Sequence, residues 1–276
     1  ETTAASAAQT LQVKATNGLS TGTIHVWGTN LNASTNSGWF IHQQDITPTG
    51  GVFSLTLQPG YVYSVTTTTG QGKGTATSPP ATPLSLPFSD NFESYSAGQI
   101  PHYFDTVQGA FETAACGGGR SGTCMRQVIN IPPIPWMRSG PDPLTVVGDP
   151  GWTNYQVSMD ARLEQAGYVD LIGGMNKQSN SHVDGYHLRF TNGGSWTLFK
   201  ESSSGTITTL ASGTSSFGLN TWHHLALTVK GRAIQAQLDT NVLATVNDSS
   251  YLVGQAAIQV APWINADFDN FSVTSL

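Results

Sequence analysis

The stretch YQVSMDARL (Tyr155–Leu163) decides the fold class, because apolar and polar side chains alternate strictly along it. A period of two residues is that of a β-strand with one buried face and one face in water. The same alternation returns in Leu225–Val229 and Ile234–Leu238, and Lys230-Gly231-Arg232 between these runs is typical of a tight hairpin. Helical periodicity is nearly absent. The sequence therefore predicts an all-β protein.

Strands recur at short intervals on both sides of this stretch. Gly193-Gly194, for example, separates the run His187–Thr191 from the run Trp196–Phe199. Strands spaced every 8–12 residues with turn residues between them are typical of a β-sandwich or a jelly roll.

A break in composition divides the chain into two domains. Residues Gly70–Pro87 (GQGKGTATSPPATPLSLP) are rich in Pro and Gly, have no periodicity and are expected to form a linker. Residues 10–69 are predicted to hold these strands: Leu11–Ala15, Thr23–Gly28, Trp39–His42, Val52–Leu57 and Tyr61–Thr67. This segment is small for a sandwich, so we expect another chain or a missing segment to complete it. Residues 1–9 are expected to be disordered or extended, and 88–276 to form the larger domain.

Composition excludes several classes of function. Only 10% of the 276 residues are Asp, Glu, Lys or Arg, against roughly 25% in an ordinary soluble domain. The net charge of −6 provides no electrostatic footprint for nucleic acid. No apolar run approaches the roughly 18 residues of a transmembrane helix.

Cys116 and Cys124 are the only cysteines, in the Gly-rich segment CGGGRSGTC. Without a histidine at ligand spacing they make a poor zinc site, so a disulfide that closes a flexible loop is the preferred interpretation. A disulfide implies an oxidising compartment, and we expect a secreted or extracellular protein. The first ten residues lack the basic start and the apolar stretch of a signal peptide, which favours the mature or processed form of a secreted protein.

No catalytic machinery is visible in the sequence. None of the five glutamates has an acidic partner in the E-x-D-x-x-E spacing of jelly-roll glycanases. Glu112 and Glu164 are the most plausible of the pairs that could meet only in space, as glycoside hydrolysis would need. His223 and His224 are adjacent in a strand pattern, so their rings are predicted to point to opposite faces.

Calcium is a better-supported hypothesis. Asn91 and Glu93 lie near the start of the second domain and Asp269 lies near its end. In such sandwiches the first and last strands often pair, which would bring Glu93 and Asp269 together. Calcium prefers several hard oxygen ligands from carboxylates, amides and peptide carbonyls. The alternative is ordinary capping and turn polarity at strand ends.

The tryptophans suggest two environments. Trp152, Trp196 and Trp222 are expected in the core. Trp136 lies in the Pro-braced segment IPPIPWMR (Ile131–Arg138), which cannot be an interior strand. From the residues alone it is either a lid over the core or an exposed platform for a sugar ring.

Six motifs in order resemble one family, the galactocerebrosidases of glycoside hydrolase family 59. They are TTTTGQGKG (Thr66–Gly74), MRQVIN (Met125–Asn130), PIPW (Pro133–Trp136), VGDPGWTN (Val147–Asn154), LTVKG (Leu227–Gly231) and FDNFSV (Phe268–Val273). The resemblance runs from about residue 10 to the end and covers the C-terminal part of these β-galactosidases.

The resemblance implies a partial β-sandwich over 10–69, followed by a concanavalin A-like (laminin-G-like) jelly-roll lectin domain over 88–276. The catalytic (β/α)8 barrel of the family would precede residue 1. The resemblance also implies a structural calcium held by Asn91, Glu93, Asp269 and the main-chain oxygen of Thr123. Asn91 stands where the resemblance leads us to expect an acid. Trp136 falls on the tryptophan that reaches the barrel and helps to wall the galactose pocket, which favours the exposed platform.

Three functional hypotheses follow. The first is a non-catalytic, carbohydrate-binding and active-site-completing C-terminal part of a secreted family 59-type exo-β-galactosidase that acts on a galactose-containing glycan. The alternative is a stand-alone calcium-dependent glycan-binding or adhesion module. The third is a small self-sufficient hydrolase or lyase, whose activity would depend on Glu112 or Glu164.

Overall fold

The computed structural model describes residues 1–17, 22–68, 80, 82–134, 142–176 and 182–276. Within these ranges the regular structure consists of β-strands and one short 3₁₀ turn at Asn36–Gly38. The predicted all-β class is confirmed. No helix in this part of the chain is long and apolar enough to span a membrane. The chain divides into two compact units, unit 1 (Glu1–Pro80) and unit 2 (Ala81–Leu276).

Unit 1 is built from two small antiparallel sheets. Its strands are β1 (Gln9–Lys14), β2 (Ile24–Asn30), β3 (Ile41–Ile46), β4 (Val52–Leu57) and β5 (Tyr61–Thr66). β1 pairs with β4, and β2 lies between β3 and β5. The buried apolar side chains between them are Ile24, Val26, Phe53 and Leu55. In the segment 1–9, for which the sequence predicts a disordered or extended course, Thr2 is buried.

Unit 2 is a sandwich of two large antiparallel sheets. Its strands are β6 (Phe88–Asp90), β7 (Phe104–Gln108), β8 (Phe111–Ala115), β9 (Thr123–Gln127), β10 (Leu144–Val147), β11 (Tyr155–Leu163), β12 (Tyr168–Met175), β13 (Gly185–Thr191), β14 (Ser195–Glu201), β15 (Ile207–Thr214), β16 (His223–Lys230), β17 (Ala233–Leu238), β18 (Asn241–Asn247), β19 (Gln255–Ala261) and β20 (Ala266–Ser275). One sheet has the order β15-β14-β13-β12-β19-β10-β7. The other has the order β18-β17-β16-β11-β20-β9-β8, and β6 also pairs with β20.

The alternation seen in the sequence corresponds to the division between buried and solvent-facing side chains. On β11 the apolar residues Tyr155, Val157, Met159, Ala161 and Leu163 are all fully buried against the opposite sheet. The predicted hairpin joins β16 to β17 through Gly231, whose φ of 52° lies in the left-handed region that favours glycine. Trp152 and Trp196 lie in the core as expected.

The first and last strands of unit 2 pair, as the sequence predicts. Phe88 lies opposite Val273 and Asp90 lies opposite Phe271. The loop after β6 therefore begins beside the middle of β20. Most of the expected linker lies outside the described residues, but Leu84 packs against the core of unit 2 and its carbonyl accepts a hydrogen bond from the Trp152 indole (2.6 Å).

Candidate functional site

The residues predicted to hold calcium lie where the β6 loop meets the start of β9. The chain turns at Phe92 (φ 58°), and Asn91 Oδ1 accepts a hydrogen bond from the Glu93 amide (3.3 Å). Both carboxylate oxygens of Glu93 accept from the Thr123 amide (3.2 Å each). Gly122 permits this approach, since a Cβ there would lie 2.0 Å from Glu93 Oε1. Three of the four predicted ligand residues are therefore neighbours.

Asp269, the fourth predicted ligand residue, lies on β20 beside the same loop. A carboxylate oxygen of Asp269 lies within 4.8 Å of the sulfur atoms of both Cys116 and Cys124. These two cysteines form the predicted disulfide. The closed loop 116–124 thus contacts both Glu93, through Thr123, and Asp269. The predicted strand pairing and the predicted disulfide loop thus meet at one end of the sandwich.

Arg120, at the tip of the loop, occupies the space between two carboxylates. Its Nη1 lies 2.8 Å from Asp160 Oδ2 and 2.8 Å from Asp269 Oδ2. The guanidinium also lies 3.9 Å from the ring centroid of Trp222, in cation–π geometry. The expectation that Trp222 belongs to the core is wrong: the ring is only partly buried, and its indole donates to the Gly117 carbonyl (3.1 Å). Trp222 instead supports the loop.

Asp160 stays ionised at neutral pH beside Arg120. Burial raises the pKa of Asp160, but hydrogen bonds from His224, Asn270 and Arg120 outweigh it and hold that pKa at about 2. The hydrogen bond to Asp160 raises the pKa of His224. His223 points to the opposite side, towards Asp239 (3.0 Å), so the two adjacent rings face apart as predicted.

Glu164 belongs to a salt-bridge network with two arginines. It accepts from Arg126 (2.6 and 3.0 Å) and from Arg162 (2.8 Å). Hydrogen bonds from Arg126 and then Arg162, opposed by burial, lower the pKa of Glu164. Glu112 lies opposite Arg126 across β8 and β9. A carboxylate held ionised by two arginines cannot be the protonated acid that glycoside hydrolysis needs.

A cleft of about 800 Å³ adjoins the predicted calcium residues and contains exposed aromatic rings. Residues that line it include Asp90, Asn91, Tyr95, His102, Tyr103 and Asn270. Tyr103 is 65% exposed and has a φ of 67°, which is unusual for an aromatic residue. The Tyr95 hydroxyl donates to Asp90 (2.7 Å), so the Tyr95 ring is tied to β6.

The chemistry of this cleft suits a sugar. An amphipathic ring such as that of Tyr103 can cover the apolar face of a pyranose, while carboxylate and amide groups such as those of Asp90 and Asn270 can bond hydroxyls. Sequence reasoning missed these residues, although the turn-rich stretch Tyr95–Tyr103 concentrates three ring side chains between two short strands. Trp136, the predicted sugar-binding residue, lies outside the described residues.

A family model described as "Galactocerebrosidase, C-terminal lectin domain" matches residues 107–276. The chain belongs to this family. Galactocerebrosidase of Macaca mulatta is 28% identical over 267 residues, which is 91% of this chain and 38% of that protein. The Mus musculus protein is 30% identical over 236 residues, 81% of this chain and 34% of that protein. The resemblance inferred from the motifs is confirmed, and the chain spans little more than a third of these relatives.

Solved structures give weaker similarities. "Carbohydrate binding module CBM66 from Bacillus subtilis" has a TM-score of 0.48 and 18% identity, and the match covers 63% of this chain and 96% of that one. A Bacillus licheniformis β-glucanase has a TM-score of 0.45 and 10% identity, and the match covers 69% and 98%. Likeness at this level identifies no ligand for the present chain.

Proposed function

We propose that this chain is the non-catalytic, carbohydrate-binding and active-site-completing C-terminal part of a secreted family 59-type exo-β-galactosidase. The observation that carries the proposal is the family match over residues 107–276. The parent reaction is retaining hydrolysis of terminal β-galactosides, with both catalytic carboxylates on a (β/α)8 barrel that is not part of this chain. The disulfide is compatible with secretion, since such bonds persist in oxidising compartments.

In this proposal Trp136 walls the galactose pocket and positions substrate. The enzyme that contains both barrel and lectin domain should hydrolyse an aryl β-galactoside, while the present chain alone should not. Trp136→Ala in that enzyme should lower kcat/KM by at least about tenfold, because a misplaced substrate reacts more slowly by about that factor or more. Ile134→Ala is the matched control, since Ile134 lies in the same segment and is 95% exposed. Turnover by the present chain alone would refute the proposal.

A structural calcium ion is part of the same proposal, with Asn91, Glu93, Asp269 and the carbonyl of Thr123 as ligands. The donors are the hard oxygens that calcium requires. Glu93 and Asp269 lie beside the same disulfide loop, which supports their joint use. Arg120 is a rival cation at Asp269 Oδ2 (2.8 Å), so it competes with calcium for this carboxylate.

Chelation should lower the unfolding temperature of unit 2, because a metal that binds only the native state stabilises it. Asp269→Asn should abolish this response, and Glu112→Gln, which alters an acid outside the proposed ligand set, should keep it. Arg120→Ala should increase calcium affinity by freeing Asp269. An unfolding temperature that chelator does not change in the wild-type chain would contradict the calcium assignment.

The aromatic cleft favours a second candidate, a stand-alone calcium-dependent glycan-binding or adhesion module. The isolated chain should then bind galactose-terminated oligosaccharides in calorimetry. Tyr103→Ala should weaken this binding at least tenfold, as expected for loss of a stacking platform. Ile100→Ala is the control, because Ile100 is 61% exposed beside the cleft but does not line it. Equal binding by Tyr103→Ala would exclude the cleft, and no binding by the wild-type chain would exclude this candidate.

A further inference from the structure

Unit 1 carries a cluster of two histidines and one aspartate on the outward face of its three-stranded sheet. His25 Nδ1 and His42 Nε2 each lie 2.7 Å from Asp45 Oδ1. The three potential ligand atoms lie within 4.8 Å of one another. Imidazole nitrogen with carboxylate oxygen is a donor set that suits zinc and similar divalent ions. Calcium, by contrast, prefers all-oxygen sites.

A β-bulge creates this cluster. His25 lies opposite Asp45, while Trp27 lies opposite His42, so that Gln43 has no partner on β2. In a regular strand, residues 42 and 45 would project from opposite faces. The extra residue in β3 turns His42 to the face that carries His25 and Asp45. Bulges often re-aim a side chain in this way next to functional sites.

Aromatic packing holds one of the two imidazoles. The Trp27 ring lies 4.9 Å from the His42 ring, centroid to centroid, and stacks on Phe40 at 4.9 Å. The side chains of His25, His42 and Asp45 are 18%, 42% and 49% exposed. An ion could therefore enter from solvent, and a water molecule could occupy a fourth position.

We propose that His25, His42 and Asp45 form a zinc site that fastens β3 to β2. Zinc–ligand bonds of about 2.0–2.2 Å place the ligand atoms roughly 3.3 Å apart around a tetrahedral ion. The two short contacts to Asp45 need to open by less than about 1 Å to reach that spacing, and the exposed carboxylate has room to move. Each neutral ring would bind through the nitrogen that now faces Asp45 and carry its proton on the other nitrogen.

The location gives such an ion a structural use. The buried apolar cluster of unit 1 consists of Ile24, Val26, Phe53 and Leu55. Small cores are often supplemented by metals, whose binding free energy adds to that of folding. An ion across β2 and β3 would also fix the register at the bulge.

The test is calorimetry of the complete, chelator-treated chain with Zn²⁺ at neutral pH, repeated with Co²⁺ by visible absorption. We expect one Zn²⁺ per chain at this cluster and the intense d–d bands of tetrahedral cobalt. His42→Ala should weaken Zn²⁺ binding by at least about 100-fold, because loss of outer-shell partners alone costs 10–100-fold. Asp45→Asn, at an exposed position, should do the same without loss of fold. His102→Gln, which removes an exposed histidine from unit 2, should leave binding unchanged.

Three results would overturn the proposal. The first is no stoichiometric Zn²⁺ binding by the wild-type chain, and the second is wild-type affinity for Zn²⁺ in both His42→Ala and Asp45→Asn. The third is a loss of Zn²⁺ affinity in His102→Gln as large as that in the two ligand variants. If His42→Ala fails to fold, Asp45→Asn decides the matter alone. Hydrogen exchange provides a second readout, because Zn²⁺ should slow exchange of the β2 and β3 amides in the wild-type chain and not in the variants.

Discussion

The two units differ greatly in the size of the hydrophobic core that their sheets enclose. In the described part of the chain, the main core of unit 2 contains 33 buried side chains and that of unit 1 contains four. Burial of apolar area is the main favourable term in folding, and small domains bury a smaller fraction of their surface. Unit 1 therefore depends more on each contact than unit 2 does.

The difference extends to polar groups. Unit 2 contains a completely buried carboxylate, that of Asp170. It accepts two hydrogen bonds of 2.7 Å from the Arg189 guanidinium. Unit 1 instead has polar contacts at its margins, at Thr2 and at the His25–Asp45 pair. The desolvation cost of a buried ion pair has to be offset by good hydrogen-bond geometry, and Arg189 supplies that geometry to Asp170.

Matched leucine-to-alanine substitutions in the two cores should have the largest effect and test whether core size sets tolerance to a cavity. Leu55→Ala in unit 1 and Leu227→Ala in unit 2 remove the same side chain from buried positions with exposures of 4% and 0%. Each should cost about 2–5 kcal/mol of unfolding free energy. Hydrogen exchange by peptide should show loss of most slow amides in unit 1 for Leu55→Ala, and retention of a protected core in unit 2 for Leu227→Ala. Equal loss in both would refute the idea that core size sets tolerance.

Asp170→Asn is expected to have the next largest effect, about 3 kcal/mol in chemical denaturation. Breaking a buried pair typically costs 3–5 kcal/mol, and the low end applies because Arg189 is 26% exposed and can reach water. Asp105→Asn, at an exposed position in the same unit, is the control. If Asp170→Asn lowers the unfolding free energy by less than about 1 kcal/mol more than Asp105→Asn does, the pair is not stabilising.

The Asp170 effect should also depend on pH. Burial raises the pKa of Asp170, but hydrogen bonds from Arg189 and His187 outweigh it, so the folded-state pKa lies below the ordinary 3.8. Stability from a depressed carboxyl pKa is present above the unfolded-state value and is lost as pH falls through the folded-state value. The difference between wild type and Asp170→Asn should therefore be full at pH 7 and shrink in acid below about pH 4.

Much of unit 2 could be predicted from the sequence because burial there follows a strict period. The alternation in Tyr155–Leu163, the Gly231 hairpin and the pairing of β6 with β20 all follow from local pattern or general topology. In unit 1 the strand expected at Trp39–His42 begins later, at Ile41, because a 3₁₀ turn precedes it. Propensity does not locate such boundaries reliably.

The parts that could not be predicted depend on long-range contacts. Arg120 meets Asp160 and Asp269 only because the disulfide loop folds over the sheet, and no local spacing indicates this. Trp222 opens an apolar strand, yet Arg120 covers it from outside, so apolar composition alone misplaces it. The same is true of His42, whose face is set by a bulge that the sequence does not announce.

Removing the disulfide tests the loop that positions Arg120. Replacing both cysteines with alanine should lower the unfolding free energy of unit 2 by about 2.6 kcal/mol, as the loop-entropy relation gives for so short a ring. Arg120→Ala in the disulfide-intact chain separates the contribution of the two Arg120 salt bridges from that of the disulfide. If the double replacement costs no more than Arg120→Ala, the disulfide acts only by holding the arginine in place.

Thr2→Val probes the smallest effect, a polar fastener at the margin of unit 1. Thr2 Oγ1 donates to the Gln58 carbonyl (2.5 Å), and the Thr2 amide donates to the Tyr61 carbonyl (2.8 Å). Valine keeps the shape and removes the hydroxyl, which also accepts from the Tyr61 amide (3.1 Å). The loss should cost about 2 kcal/mol, the usual net value of two such hydrogen bonds. Thr10→Val is the control, because Thr10 Oγ1 reaches only an exposed partner, Thr56 Oγ1 (3.0 Å). Faster exchange of the β5 amides in Thr2→Val, but not in Thr10→Val, would show that unit 1 relies on contacts at its margin, and equal exchange in the two variants would show that it does not.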